Sequence, residues 1–317
     1  MSKNLSLEDI IRGVEEGQFR LLSRAISLVE DGHPEADRLL DQIYKNAGRA
    51  YRIGITGPPG AGKSTIVSRL VKWFRRDHQK VGVIAVDPTS PFSGGAVLGD
   101  RIRMTELTTD EGTFIRSMAT RGSLGGLSKT AQEVADLMAA ASIETIIFET
   151  VGVGQGELDV AQASDTTVVV LVPESGDSIQ AMKAGLMEIA DIFVINKSDR
   201  DGAEKMKIEL EMMLQLRLPK DDWSPPILKC IAQDNVGIED LYEKIMNHED
   251  HLKKRGLLKK KRSQRLFDRI QEMIRLDWEK KYWSQRKTEY LNRKMEEILE
   301  RRITPQQIIT ELRELDE

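Results

Sequence analysis

Apolar residues fall along this chain in seven short, nearly unbroken runs, at 52–56, 81–86, 114–117, 143–149, 167–172, 191–196 and 226–230. Runs of that length, rich in Val and Ile and bounded by Gly, Pro or Asp, predict strands buried on both faces. Between them apolar positions recur at helical spacing, so strands and helices alternate. Alternation of this kind predicts an α/β fold, a doubly wound, mostly parallel sheet with helices on both faces.

The two ends carry only the helical period. Residues 1–48 mix apolar and charged positions at helical intervals, with Pro34 opening a second helix and Asn46-Ala47-Gly48 closing it. Residues 249–317 read as helices, the last one starting at Pro305 after Thr304. Leu266, Ile270, Met273, Ile274 and Trp278 repeat at helical intervals with basic residues on the opposite face. With Tyr282 and Trp283 close by, they predict a packed or dimer-forming helix. The predicted organisation is an N-terminal helical extension (1–48), a sheet domain (49–248) and a C-terminal helical dimerisation region (249–317).

Composition changes this picture little. A chain of 317 residues buries a large core and is long for one minimal nucleotide-binding domain. Charge is uneven: residues 253–317 carry a net +7 against a total of −4. The basic run 253–262 is read as the solvated face of an amphipathic helix, and neither nucleic acid nor membrane is expected as a partner. The single cysteine, Cys230, excludes an internal disulfide and reads as a buried thiol. His33, His78, His248 and His251 show no zinc spacing, and His248 and His251, in an acidic helical stretch, are expected to be solvated. With no targeting peptide or bilayer-length apolar span in view, a cytoplasmic protein is expected.

Chemistry concentrates at the ends of the predicted strands. Gly57-Pro58-Pro59-Gly60-Ala61-Gly62-Lys63-Ser64 is a complete G-x-x-x-x-G-K-[ST] run between a strand and a helix that begins near Thr65. Glycines there let backbone N–H groups turn toward an anion at the positive end of the helix. Lys63 is expected to reach the β- and γ-phosphates, and the Ser64 hydroxyl to ligate Mg²⁺. Asn196-Lys197-Ser198-Asp199 follows the strand at 191–196 and reads as a guanine-recognition motif. The Asp199 carboxylate can accept from both N1–H and the 2-amino group of guanine, a donor pair that adenine lacks. GTP is therefore favoured over ATP. Asp87 and Glu149 end two further strands, where a carboxylate points toward the phosphate loop. Glu149 takes the Walker B position, and Gly152 supplies an N–H to the γ-phosphate. Most P-loop GTPases carry Asp-x-x-Gly here, so Glu149-Thr150-Val151-Gly152 is a departure.

The strings 54–65, 86–90, 99–104, 120–127 and 149–155 together resemble the MeaB family, GTPase chaperones of adenosylcobalamin-dependent acyl-CoA mutases. That resemblance implies a P-loop GTPase sheet with helical N- and C-terminal extensions, a homodimer, and conversion of GTP to GDP and phosphate. It implies that Asp87, Asp100 and Glu149 join Ser64 around Mg²⁺. It implies switch segments at 87–104 and 149–161, and a third at 173–183 that contacts the mutase, with Gln180 and Lys183 at its polar positions. It also implies that the Ala232 backbone N–H serves the guanine O6. Lys63, Glu149, Gln180 and Lys183 are the expected catalytic residues. Gly57, Pro59, Gly60, Ala61, Gly62 and Thr65 are expected to line the nucleotide with Lys63 and Ser64. Val153 directly follows Gly152, where a Ras-like GTPase has its water-orienting glutamine, so hydrolysis by the chain alone is expected to be slow. The alternative is a kinase or ATPase linked to amino-acid transport. A kinase would need a phosphoacceptor site and a catalytic base, for which the sequence offers no constellation.

Overall fold

The computed structural model describes residues 5–88, 107, 109–120, 129–150, 156–173, 184–215 and 222–315. Seven strands form one sheet: β1 (Tyr51–Thr56), β2 (Val81–Pro88), β3 (Thr113–Thr120), β4 (Thr145–Thr150), β5 (Thr166–Leu171), β6 (Ile192–Asn196) and β7 (Ile227–Cys230). Their order is β3-β2-β4-β1-β5-β6-β7, and every pairing is parallel. β1 therefore sits centrally and leads into the crevice at the carboxyl edge, where the direction of winding reverses.

Alternation along the strands splits the core into layers. Ile53, Ile55, Val81, Val83 and Ile147 face α4 (Lys63–Arg76) and the helix Ile238–Lys254. Ile84, Val86, Ile146 and Phe148 face the opposite way, onto the helix Lys129–Ala140 and three N-terminal helices, α1 (Leu7–Glu15), α2 (Phe19–Glu30) and α3 (Ala36–Ile43). One more N-terminal helix is present than Pro34 alone predicts. The chain breaks at Gly17, whose φ of 73° suits a residue without Cβ, and Gln18 N–H closes the end on Gly13 O at 2.8 Å. Ser6 and Asp9 form a capping box that starts α1.

After α4 the helices continue as α5 (Lys129–Ala140), α6 (Gly156–Ala163), α7 (Ala184–Ile189), α8 (Ala203–Gln215) and α9 (Ile238–Lys254). Then follow α10 (Leu257–Tyr282), α11 (Gln285–Leu299) and α12 (Pro305–Glu314). Residues 1–262 form one compact unit and 263–317 a second. In the second, Ile308 and Leu312 are buried, and Lys287 lies buried over the Tyr282 ring at 3.6 Å. The predicted stripe Leu266, Ile270, Met273, Ile274 and Trp278 is exposed along its whole length. Among the described residues no helix is long and apolar enough to cross a membrane.

His248 corrects the expectation of a solvated side chain: it is 2% exposed. It shares the inward stripe of α9 with Leu241, Ile245 and Leu252. Its Nδ1 lies 2.6 Å from Thr166 Oγ1 and its Nε2 3.6 Å from Asp191. Trp223 packs on the ring, with His251 beyond, and Lys261 binds the same Asp191 carboxylate. Burial, opposed by Asp191 and assisted by Lys261, lowers the His248 pKa from 6.5 to about 4. The imidazole is thus neutral in the folded chain, whereas the unfolded chain takes up a proton below about pH 6.5. Stability is therefore fully present above that pH and falls as pH drops toward 4. Urea unfolding at about pH 7.5 and about pH 5 should show a loss of about 2 kcal/mol from this group. His248→Asn should lack that component, and an equal pH slope in wild type and variant would refute it.

Candidate functional site

The loop between β1 and α4 turns back on itself at three glycines. Gly57, Gly60 and Gly62 have φ of 137°, 73° and 86°, values that side chains rarely tolerate. Space is also short: a Cβ on Gly57 would lie 2.0 Å from Val170 O, and one on Gly62 2.3 Å from Asn196 Nδ2. Pro59 and Gly60 form the exposed crest, Ala61 is buried, and Thr65 lies half-buried in the first turn of α4. Lys63 is 5% exposed, and its Nζ donates to Gly57 O and Pro58 O, each at 2.9 Å. The loop so holds an ammonium group at the positive end of a 14-residue helix, an arrangement suited to polyphosphate.

Beside it, Glu149 is the penultimate residue of β4, 4% exposed and in register with Ile55 of β1 and Ala85 of β2. Ser64 Oγ donates to Glu149 Oε1 at 2.5 Å. A hydroxyl and a carboxylate oxygen are hard donors of the kind that hold Mg²⁺ together with substrate phosphates and water, so the pair fits that ion. The backbone of Asp87 lies one residue from the end of β2 at the same edge. Its side chain, with Asp100, Gly152, Gln180, Lys183 and most of the three switch segments, lies outside the described residues.

A second cluster forms at the ends of β6 and β7. Asn196 is 3% exposed. Its Nδ2 donates to Ala61 O at 2.8 Å, and its Oδ1 accepts the Ala232 N–H at 3.1 Å. One amide thereby ties the phosphate loop to the turn Ala232–Asp234. Lys197 takes a left-handed φ of 55°, Ser198 N–H donates to Cys230 O at 3.1 Å, and the Asp199 carboxylate is left exposed at the crevice. Cys230 is buried, its thiol pushed up to about 12 mainly by burial, so it has no nucleophilic character near neutral pH.

The Ala232 N–H, expected to serve guanine O6, donates in this structure to Asn196 Oδ1 at 3.1 Å. Sequence reading also missed Arg69, on α4, whose Nε and Nη2 donate to Ala232 O at 3.3 Å and Gln233 O at 2.9 Å. Nothing in the spacing of Arg69 marks it. Asn196 was legible as part of a motif but not as a clamp.

A parallel sheet of this order, with a G-x-x-x-x-G-K-[ST] loop joined to an N-K-x-D loop across its crevice, defines a P-loop GTPase. The family model described as methylmalonyl Co-A mutase-associated GTPase MeaB matches residues 22–287, and the chain belongs to that family. A putative GTPase of Pyrococcus abyssi is 48% identical over 271 residues, 84% of this chain and 84% of its own. The mitochondrial methylmalonic aciduria type A homolog of Mus musculus is 34% identical over 290 residues, 84% of this chain and 70% of its own. A crystal structure described as a LAO/AO transport system kinase superposes with a TM-score of 0.76 at 29% identity, covering 99% of both chains.

Proposed function

We propose that this GTPase times the loading of adenosylcobalamin onto an acyl-CoA mutase, and protects that mutase, through a cycle of GTP binding and hydrolysis. The carrying observation is the continuous clamp from Ala61 through Asn196 to Ala232, which sets a phosphate loop and a guanine loop at a fixed span. The mutase enters through the family, whose description names it as mutase-associated. The phosphate loop N–H groups and the Lys63 ammonium bind and orient the triphosphate. Ser64 and Glu149, with Asp87 and Asp100, hold Mg²⁺, which when bound neutralises charge on the β- and γ-phosphates. Gly152 contributes an N–H to the γ-phosphate. Asn196, Lys197 and Asp199 select guanine. The exposed stripe from Leu266 to Trp278 forms a homodimer contact.

Without a Ras-like glutamine after Gly152, hydrolysis by the chain alone is slow, and the mutase raises it by repositioning Gln180 and Lys183. In single-turnover assays the cognate mutase should accelerate GTP hydrolysis, as charge supplied at the phosphoryl group accelerates GTPases by about 10³-fold or more. Lys183→Ala should lose most of that stimulation while keeping the basal rate. Full stimulation of the variant would move the coupling role elsewhere, and a mutase without effect on the wild type would defeat the proposal.

A further inference from the structure

We infer that Arg69 is a positioning residue for base selection, acting through the turn after β7; the inference rests on the guanine reading of that crevice. Arg69 lies six residues beyond the phosphate-loop lysine on α4, so it belongs to the rigid element that also fixes Lys63 and Ser64. Its guanidinium is a planar fork, and two of its nitrogens take the carbonyls of consecutive residues, Ala232 and Gln233.

Those two bonds orient the turn. In a trans peptide the carbonyl and the following N–H point in opposite directions. No cis peptide occurs among the described residues. With Ala232 O drawn toward α4, the Gln233 N–H is turned away from it. Neighbouring donors are spent: Ala232 N–H on Asn196 Oδ1, Asp234 N–H on Ile231 O at 3.0 Å and Asn235 N–H on Ala232 O at 3.4 Å. The Gln233 N–H meets no acceptor among the described residues and belongs to an exposed residue. It is the donor of this turn left for the purine 6-carbonyl, and Arg69 keeps it aimed.

The turn is thus clamped twice to the phosphate side, by Asn196 onto Ala61 and by Arg69 from α4. Loss of the Arg69 clamp leaves the phosphate loop, Asn196 and Asp199 in place and frees only the peptide that reads the 6-position. Its signature is a selective loss, separable from a general weakening of nucleotide binding.

The test measures binding of GDP, 6-thioguanosine diphosphate, IDP and ADP to the full chain with Mg²⁺. Sulfur at the 6-position accepts a hydrogen bond poorly, and wild type should prefer GDP to the thio analogue by about tenfold, the worth of one well-made hydrogen bond. In Arg69→Met that preference should fall to near unity, while the preference for GDP over IDP, which reports the 2-amino group read by Asp199, stays. Arg69→Lys, able to reach one carbonyl, should recover part of the lost preference. An Arg69→Met protein with the wild-type preference for GDP over the thio analogue overturns the role of Arg69 alone, as does one that loses all nucleotides equally. Equal binding of GDP and ADP by the wild type overturns the guanine reading itself, and this inference with it.

Discussion

Lys63→Ala is expected to abolish tight GTP binding and to lower turnover by about three orders of magnitude or more, the scale on which phosphoryl transfer depends on compensating charge. The ammonium is buried in the loop and held on two loop carbonyls, which fix its position at the start of α4. Effects on the fold should be small. The buried stripe of α4, Ile66, Val67, Leu70, Val71 and Phe74, is untouched, and the three loop glycines keep their backbone angles. Single-turnover hydrolysis and fluorescent-nucleotide binding read the first effect, and thermal unfolding the second. Wild-type-like turnover in Lys63→Ala would remove the phosphate-loop assignment.

An element of this chain is legible in its sequence where the contact that determines it is local. The strands were legible because buried parallel strands are written as continuous apolar runs. β5 was predicted at 167–172 and spans Thr166–Leu171, and β6 at 191–196 spans Ile192–Asn196. β3 was predicted too short, at 114–117 against Thr113–Thr120, because it lies at the sheet edge and carries polar residues such as Arg116 and Ser117. His248 was misread because its acidic neighbours Glu249 and Asp250 masked its place in the stripe Leu241, Ile245, His248, Leu252. The i, i+4, i+7, i+11 spacing was a signal that could have found it. The glycine-lysine loop and the guanine motif were legible as strings. Their connection was not, since Asn196 reaches an atom 135 residues away and Ala232 one 36 residues away. Arg69 and the partner of the Ala232 N–H were not legible for the same reason: their contacts are set by tertiary folding, to which no local period points.

Asp199→Asn is expected to exchange the preferred base. The Asp199 carboxylate stands exposed at the crevice, on a loop fixed by the left-handed Lys197 and by the Ser198 N–H on Cys230 O. There it is placed so that it can accept from both N1–H and the 2-amino group of a guanine. An asparagine amide presents one donor and one acceptor, which suits xanthine, whose 2-position is a carbonyl. The loss for GTP removes a hydrogen bond to a charged group, at a cost of about 1.5–3 kcal/mol, and the gain for XTP is of the same kind. The two effects together should move the GTP to XTP ratio by about 10² or more.

The reading of this chain as a guanine-specific GTPase, rather than a kinase or ATPase of amino-acid transport, is tested most directly by one competition series. GTP turnover is measured while unlabelled ATP or XTP is raised to about a hundredfold excess, enough to expose preferences of up to about 3 kcal/mol. With the wild type, ATP should leave the rate unchanged and XTP should compete only at the highest excess; with Asp199→Asn, XTP should displace GTP readily. ATP that displaces GTP from the wild-type protein at equal concentration, or an Asp199→Asn protein that still prefers GTP, would contradict the account.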